Sequence, residues 1–97
     1  MIRVLVLYPK GEGTTFDWDY YVNTHMPLVR KSLGDALVRD EVDQPVPDAA
    51  HHGAVHMFFA SLEAFGAAMG VNGAEVMADV PNYTNVQPSL FISEVVA

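Results

Sequence analysis

Cysteine is absent from this 97-residue chain. That excludes disulfides, thiolate nucleophiles, iron–sulfur clusters and cysteine-ligated zinc. Basic charge is scarce. Arg3, Lys10, Arg30, Lys31 and Arg39 are the only strong cations, against twelve Asp and Glu, and the net charge is −7. Such a chain offers no basic stripe to a phosphate backbone and no polybasic segment to an anionic membrane. Neither nucleic acid nor membrane is an expected partner. Long hydrophobic runs are missing as well. The first apolar stretch, RVLVLYP, stops at Pro9 and is too short for a signal peptide or a membrane span, so a cytoplasmic location is the expectation. Neither G-x-S-x-G, nor a P-loop, nor G-x-G-x-x-G occurs. Hydrolase-elbow, nucleotide and Rossmann readings therefore find no support, and no motif calls for a cofactor.

What the chain has in quantity is apolar surface. Hydrophobic residues make up 51% and charged residues only 18%, below the usual quarter or so. The length suits a single domain, residues 1–97, with one modest core. A small domain with so little charge is expected to hide part of its surface in an oligomer.

Hydrophobic periodicity divides the chain into seven elements, the two short helices late in the chain forming one helical layer. MIRVLVLY reads as a strand ended by Pro9 and the Gly11–Gly13 loop. Asp17 is an expected N-cap, with Phe16 and Tyr21 placed to form a hydrophobic staple. The helix it opens runs to about Leu33, with Gly34 as the C′ residue and Val22, Met26, Val29 and Leu33 as its apolar stripe. Ala36–Val42 reads as a charged edge strand, and Ala54–Ala60 as a third strand. Ser61 caps a short helix stopped by Gly70. Asn72 and Glu75 suggest a capping box for another short helix ending before Pro81. Pro88–Val96 reads as the last strand. The order is βαββαβ, a ferredoxin-like α+β arrangement with one antiparallel four-stranded sheet and its helices on one face.

The strands are apolar on both sides. Val4, Val6 and Tyr8 alternate with Leu5 and Leu7, and Val55, Met57 and Phe59 alternate with Ala54, His56 and Phe58. A sheet with one wet face alternates cleanly between apolar and polar. Helices cover one face only. An exposed apolar patch of roughly 500 Å² is large for a monomer, so the expected cover is a second copy, sheet face to sheet face, in a homodimer.

The stretch FDWDYYVNTHMPLV carries the candidate chemistry. Trp18, Tyr21 and His25 are spaced three and four apart, which puts them on one side of a helix. Pro27 lacks an N–H, and its ring crowds the Asn23 carbonyl, so the helix is expected to distort beside His25 and open a pocket. The ordinary alternative is that these rings are core packing. A histidine in an apolar pocket suits acid–base work, and Tyr21 adds a hydrogen-bond donor. His56 sits within an apolar strand, as a core or pocket-lining residue. His51, His52 and Asp48 match no metal-ligand spacing, and solvated loop histidines are expected there. DVPNYTN is turn chemistry, from which Asn82 and Tyr83 reach toward a pocket mouth.

Together the LYP ending of the first strand, FDWDYYVNTHMPLV, HMFFASLEAF and ADVPNYTNVQPSLFISEV resemble the EthD family, named for ethyl tert-butyl ether degradation. The match spans nearly the whole chain, and Tyr21, His25, Pro27 and Leu28 form its Y-x-x-x-H-x-P-L signature. The resemblance implies a dimeric α+β barrel. That superfamily includes cofactor-free monooxygenases, cyclases, isomerases and haem-binding enzymes. The expectation is an oxidoreductase- or isomerase/cyclase-type enzyme acting on a mostly apolar, oxygen-bearing metabolite. His25 and Tyr21 would be catalytic, and Trp18, His56, Asn82 and Tyr83 would bind substrate. A non-catalytic small-molecule carrier is the alternative from another class. Haem binding through His25 or His56 is a third reading.

Overall fold

The computed structural model describes all residues, 1–97. The chain forms β1 (Ile2–Pro9), a short helix α1 (Trp18–Tyr20), a π-helical turn (Tyr21–His25), α2 (Met26–Leu33), β2 (Arg39–Asp43), β3 (His51–Phe59), α3 (Leu62–Asp79) and β4 (Ser89–Glu94). Short 3₁₀ turns at Gly34–Ala36 and Val80–Asn82 follow α2 and α3. The sheet is antiparallel with strand order β2-β3-β1-β4. This is the ferredoxin-like α+β fold. No helix is long and apolar enough to cross a membrane.

Period-two patterning decides which face is covered. Ile2, Val4, Val6 and Tyr8 of β1 are buried, and their cross-strand partners Phe59, Met57, Val55 and Gly53 are buried beside them. Met26, Val29 and Leu33 of α2 close over these residues. The opposite face carries Leu5, Leu7, Ala54 and Phe91, interspersed with the ion pair Arg39–Glu41 and the hydrogen-bonded pair His56–Asp43. The Arg39 guanidinium lies 3.9 Å from the Phe58 ring centroid. β4 lies at an edge of the sheet and leaves Leu90, Phe91 and Ile92 exposed.

Asp17 and Ser61 act as N-caps. Their side chains accept from the N–H groups of Tyr20 and Ala64 at 3.1 Å each. The staple forms, with the Phe16 and Tyr21 rings 5.0 Å apart. Gly34 ends α2 with φ of 57°, a value that favours glycine.

Three expectations differ from the structure. First, Val22 does not join the apolar stripe. It is 47% exposed, while Tyr21 and His25 are 1% and 3% exposed. The N–H of Met26 bonds to the Tyr21 carbonyl, five residues back, so the wider turn gives Tyr21 the place that α-helical spacing assigns to Val22. Second, α3 is one helix of 18 residues and not two. It runs through Gly66, Gly70 and Gly73, since packing against α2 outweighs a penalty of about 1 kcal/mol for each glycine. Asn72 caps nothing. Its Nδ2 donates to the Ser32 carbonyl at 2.7 Å and ties α3 to α2. Third, β3 begins at His51, so the two neighbouring histidines sit in the strand, half-buried, rather than in a solvated loop.

Candidate functional site

The π-helical turn is where the sequence places Pro27 against helical geometry. An α-helix would require an N–H at residue 27 to bond Asn23, and proline has none. Opening the previous turn to five residues removes that demand and swings two adjacent helical positions, Tyr21 and His25, under the helix. π-turns of this kind often mark functional sites.

Beneath that turn lies a cavity of about 80 Å³ between the sheet and α2 and α3. Its wall includes Val4, Val6, Met57, Val29, Phe65 and Leu90. The only polar side chains on it are His25 and the tyrosines Tyr8, Tyr21 and Tyr83. The rings pack edge-on or stacked: Tyr21 stacks on His25 at 5.3 Å, and Tyr83 lies 4.5 Å from His25.

His25 is held from both sides. Nδ1 lies 2.9 Å from Oδ2 of Asp79, the last residue of α3. Oδ1 of the same carboxylate accepts from the Tyr20 hydroxyl at 2.6 Å and from Asn82 Nδ2 at 2.9 Å. Burial pushes the Asp79 carboxyl up, but the hydrogen bonds from Tyr20, Asn82 and His25 outweigh this and hold it below the usual carboxylate range. An ionised carboxylate only accepts, so Nδ1 carries the proton and Nε2 the lone pair. Nε2 lies 3.4 Å from the Tyr83 hydroxyl, which shares a 2.8 Å hydrogen bond with the Tyr8 hydroxyl. Burial pulls the His25 pKa below its ordinary value, against the opposing pull of Asp79. His25 is therefore neutral at pH 7, with its basic lone pair at Nε2 facing the Tyr83 hydroxyl. Burial raises the pKa of all three cavity tyrosines, so they remain protonated donors. The Tyr21 hydroxyl is buried and has no hydrogen-bond partner.

Of the residues singled out from sequence, the fold gathers Tyr21, His25 and Tyr83 on one wall. Asn82 sits behind them and braces Asp79, in a shallow polar groove formed by residues 15–17 and 81–85 that shares Tyr83 with the cavity. Trp18 does not line the cavity. Its Nε1 donates to the His52 carbonyl at 3.1 Å, and its ring packs against Tyr21 at 5.6 Å. His56 does not line it either. Even-numbered positions of β3 face away from the helices, and His56 pairs there with Asp43 at 2.6 Å. Sequence reasoning missed Asp79, Tyr20 and Tyr8. Asp79 was visible only as the acidic residue before the V-P-N turn, and Tyr8 as an ordinary inward strand position. No three or more His, Asp or Glu side chains are gathered to hold a metal.

The EthD domain family matches residues 10–87. The chain belongs to the EthD family. An EthD-like protein from Ralstonia eutropha JMP134 is 40% identical over 99% of this chain and 92% of its own, with a TM-score of 0.89. An EthD family protein from Bacillus halodurans C-125 is 24% identical, covers 99% of both chains and superposes with a TM-score of 0.77. The fold is shared more distantly with an antibiotic biosynthesis monooxygenase, at 10% identity over 100% of both chains and a TM-score of 0.60. No curated protein matches the chain.

Proposed function

We propose that this EthD protein is an enzyme that moves a proton on a small, mostly apolar, oxygen-bearing molecule. His25 Nε2 is the base and then the acid, and Asp79 fixes its tautomer and orientation. Tyr21 polarises the substrate oxygen. Proton abstraction beside a carbonyl opens isomerisation and cyclisation, and with dioxygen as the electron acceptor it also opens oxidation of the resulting carbanion. The observation that carries this reading is the Asp79–His25–Tyr83 chain ending on an apolar cavity wall. A neutral imidazole whose far nitrogen is bonded to a carboxylate is the arrangement of a general base. A dry wall strengthens each hydrogen bond made to developing charge.

The test is exchange of ketone α-hydrogens in deuterated water, followed by nuclear magnetic resonance. The parent protein should accelerate exchange, and His25→Ala should lower that rate about 10²- to 10⁴-fold. Equal rates for the two proteins would remove His25 from the chemistry. A carrier would bind ketones and catalyse no exchange in either form.

The working unit in this reading is a homodimer joined through the outer sheet faces. Leu5, Leu7, Ala54 and Phe91 support it, since nothing else in the chain covers that side.

A further inference from the structure

We propose that the site takes a neutral ketone or aldehyde with an unbranched apolar tail, its carbonyl oxygen accepting from Tyr21 and its tail leaving the cavity past Leu90 and Met77. This deepens the proton-transfer reading and rests on it.

The head group follows from the polar inventory. The Tyr8 and Tyr83 hydroxyls share one hydrogen bond, Tyr83 also faces His25 Nε2 at 3.4 Å, and His25 Nδ1 is engaged by Asp79. That leaves one unengaged function on the wall, the donor at Tyr21, beside a weakly engaged one, the Nε2 lone pair, whose partner is the Tyr83 hydroxyl at 3.4 Å. A carbonyl with an adjacent C–H matches both, since its oxygen accepts from the donor and its α-hydrogen meets the base. A carboxylate or phosphate head fits poorly. No Lys or Arg lines the cavity. The Arg30 guanidinium, whose charge is felt at Tyr21, is already bonded to Asp40 by two hydrogen bonds of 2.8 and 2.9 Å. An anion entering here would also meet the field of Asp79 behind His25. A buried charge without a partner is strongly disfavoured.

The tail follows from volume and exposure. About 80 Å³ is close to half of the roughly 150 Å³ cavity that admits benzene. The enclosed part therefore holds the carbonyl and a few carbons. Leu90 and Met77 line the cavity, yet they are 57% and 52% exposed. The enclosure thus opens between α3 and β4. Ile92 continues the same sheet face beyond Leu90, beside Val4, and is 44% exposed. Cavity and exposed strip form one continuous apolar track, which suits an extended chain better than a compact ring.

The test measures binding of methyl ketones from 2-butanone to 2-undecanone. Matched carboxylates and matched 2-methyl-1-alkenes, which keep the shape and lack the oxygen, serve as controls. Trp18 emission and the methyl resonances of Met77 and Leu90 report binding. Kd for ketones is expected to fall about fourfold per added methylene until the strip is filled. Carboxylates of equal length should bind at least tenfold more weakly at pH 7. Tyr21→Phe should weaken ketones about tenfold and leave the alkenes unchanged. Ile92→Asp, on the exposed strip and outside the cavity wall, should flatten the dependence on length and spare 2-butanone.

Carboxylates binding as tightly as ketones would overturn the proposal. So would an unchanged ketone Kd in Tyr21→Phe, or a length series that moves neither methyl resonance because a second copy covers the strip. Ketone binding without α-exchange would sink the proton-transfer reading and leave this one standing. Exchange with a preference for carboxylates would do the reverse.

Discussion

Tyr21→Phe should make the unliganded protein more stable. Most Tyr→Phe changes in a core remove a hydrogen bond and lose about 0.5–1.5 kcal/mol. Here the hydroxyl is buried and unpartnered, while the ring it sits on packs against Tyr8, Phe16, Trp18, His25 and Tyr83. Phenylalanine keeps those ring contacts and removes only the oxygen. A buried hydroxyl without a partner costs about 1–3 kcal/mol in mutational data. The Tyr8 hydroxyl is close enough to affect the ionisation of Tyr21, which softens the penalty toward the low end. The expected gain is about 1 kcal/mol, or a rise in Tm of roughly 4–8 °C for a domain of this size. Urea unfolding of both proteins at one matched concentration would show a higher midpoint at unchanged slope. Saturating ketone should then reverse the order. A tenfold advantage in affinity is worth about 1.4 kcal/mol to the parent. A loss of 1 kcal/mol or more in unliganded Tyr21→Phe would mean that the hydroxyl has a partner in the free protein, and the argument for a waiting donor would fail.

The His25 ring should titrate below its ordinary value of 6.5, as followed by its Hε1 proton resonance. Asp79→Asn should lower the pKa further, because the carboxylate pulls it up. The rate of exchange should fall only on the acid side of 6.5. Stability should follow the same sign. The unfolded chain protonates its histidine near 6.5 and the native one resists, so stability declines as pH falls from 6.5 to the native pKa. The Asp79 contribution is lost in a lower window, below 3.8, as pH falls through its native pKa. Gly53→Ala should destabilise by about 1–3 kcal/mol, because a Cβ there would stand 2.6 Å from Trp18 Cζ2 and 3.3 Å from the Asp43 carbonyl. Unfolding followed by Trp18 emission would measure it, and a more stable variant would contradict that packing. Light scattering should give twice the 10.6 kDa chain mass, and a monomer at micromolar concentration would remove the dimer.

The sheet was legible because its signal is local and redundant. Alternation in Val4-Leu5-Val6-Leu7 and Val55-His56-Met57 sets parity, and parity alone assigns every side chain to a face. The caps at Asp17 and Ser61 were legible for the same reason, since each acts within three residues. The break imagined in α3 failed because Gly70 and Asn72 are ambiguous locally. What decides is the bond from Asn72 to Ser32, 40 residues away. His56 was misplaced by treating an apolar strand as buried on both faces, when its parity already pointed away from the helices. Asp79 was out of reach for a related reason. It is 54 residues from His25, and nothing in V-P-N announces a hydrogen-bond partner for that ring.

Pro27 explains both the error at Val22 and the existence of the site. Ideal helical spacing puts Val22, Met26, Val29 and Leu33 on one stripe, a sound apolar seam that would bury four aliphatic side chains and leave His25 at its border. Proline makes that geometry unfavourable at one bond, by roughly 3 kcal/mol in a helix interior. The chain answers with a five-residue turn, which turns Val22 out to solvent and Tyr21 and His25 in. Exposing a valine forfeits about 1.5–3 kcal/mol of burial, a loss close in size to the strain it relieves. The exchange holds only because the incoming rings are accommodated, Tyr21 by an aromatic cluster and His25 by Asp79. The Tyr21 hydroxyl is the part of that exchange left without compensation inside the protein, which is why a ligand is the reasonable place to look for its partner.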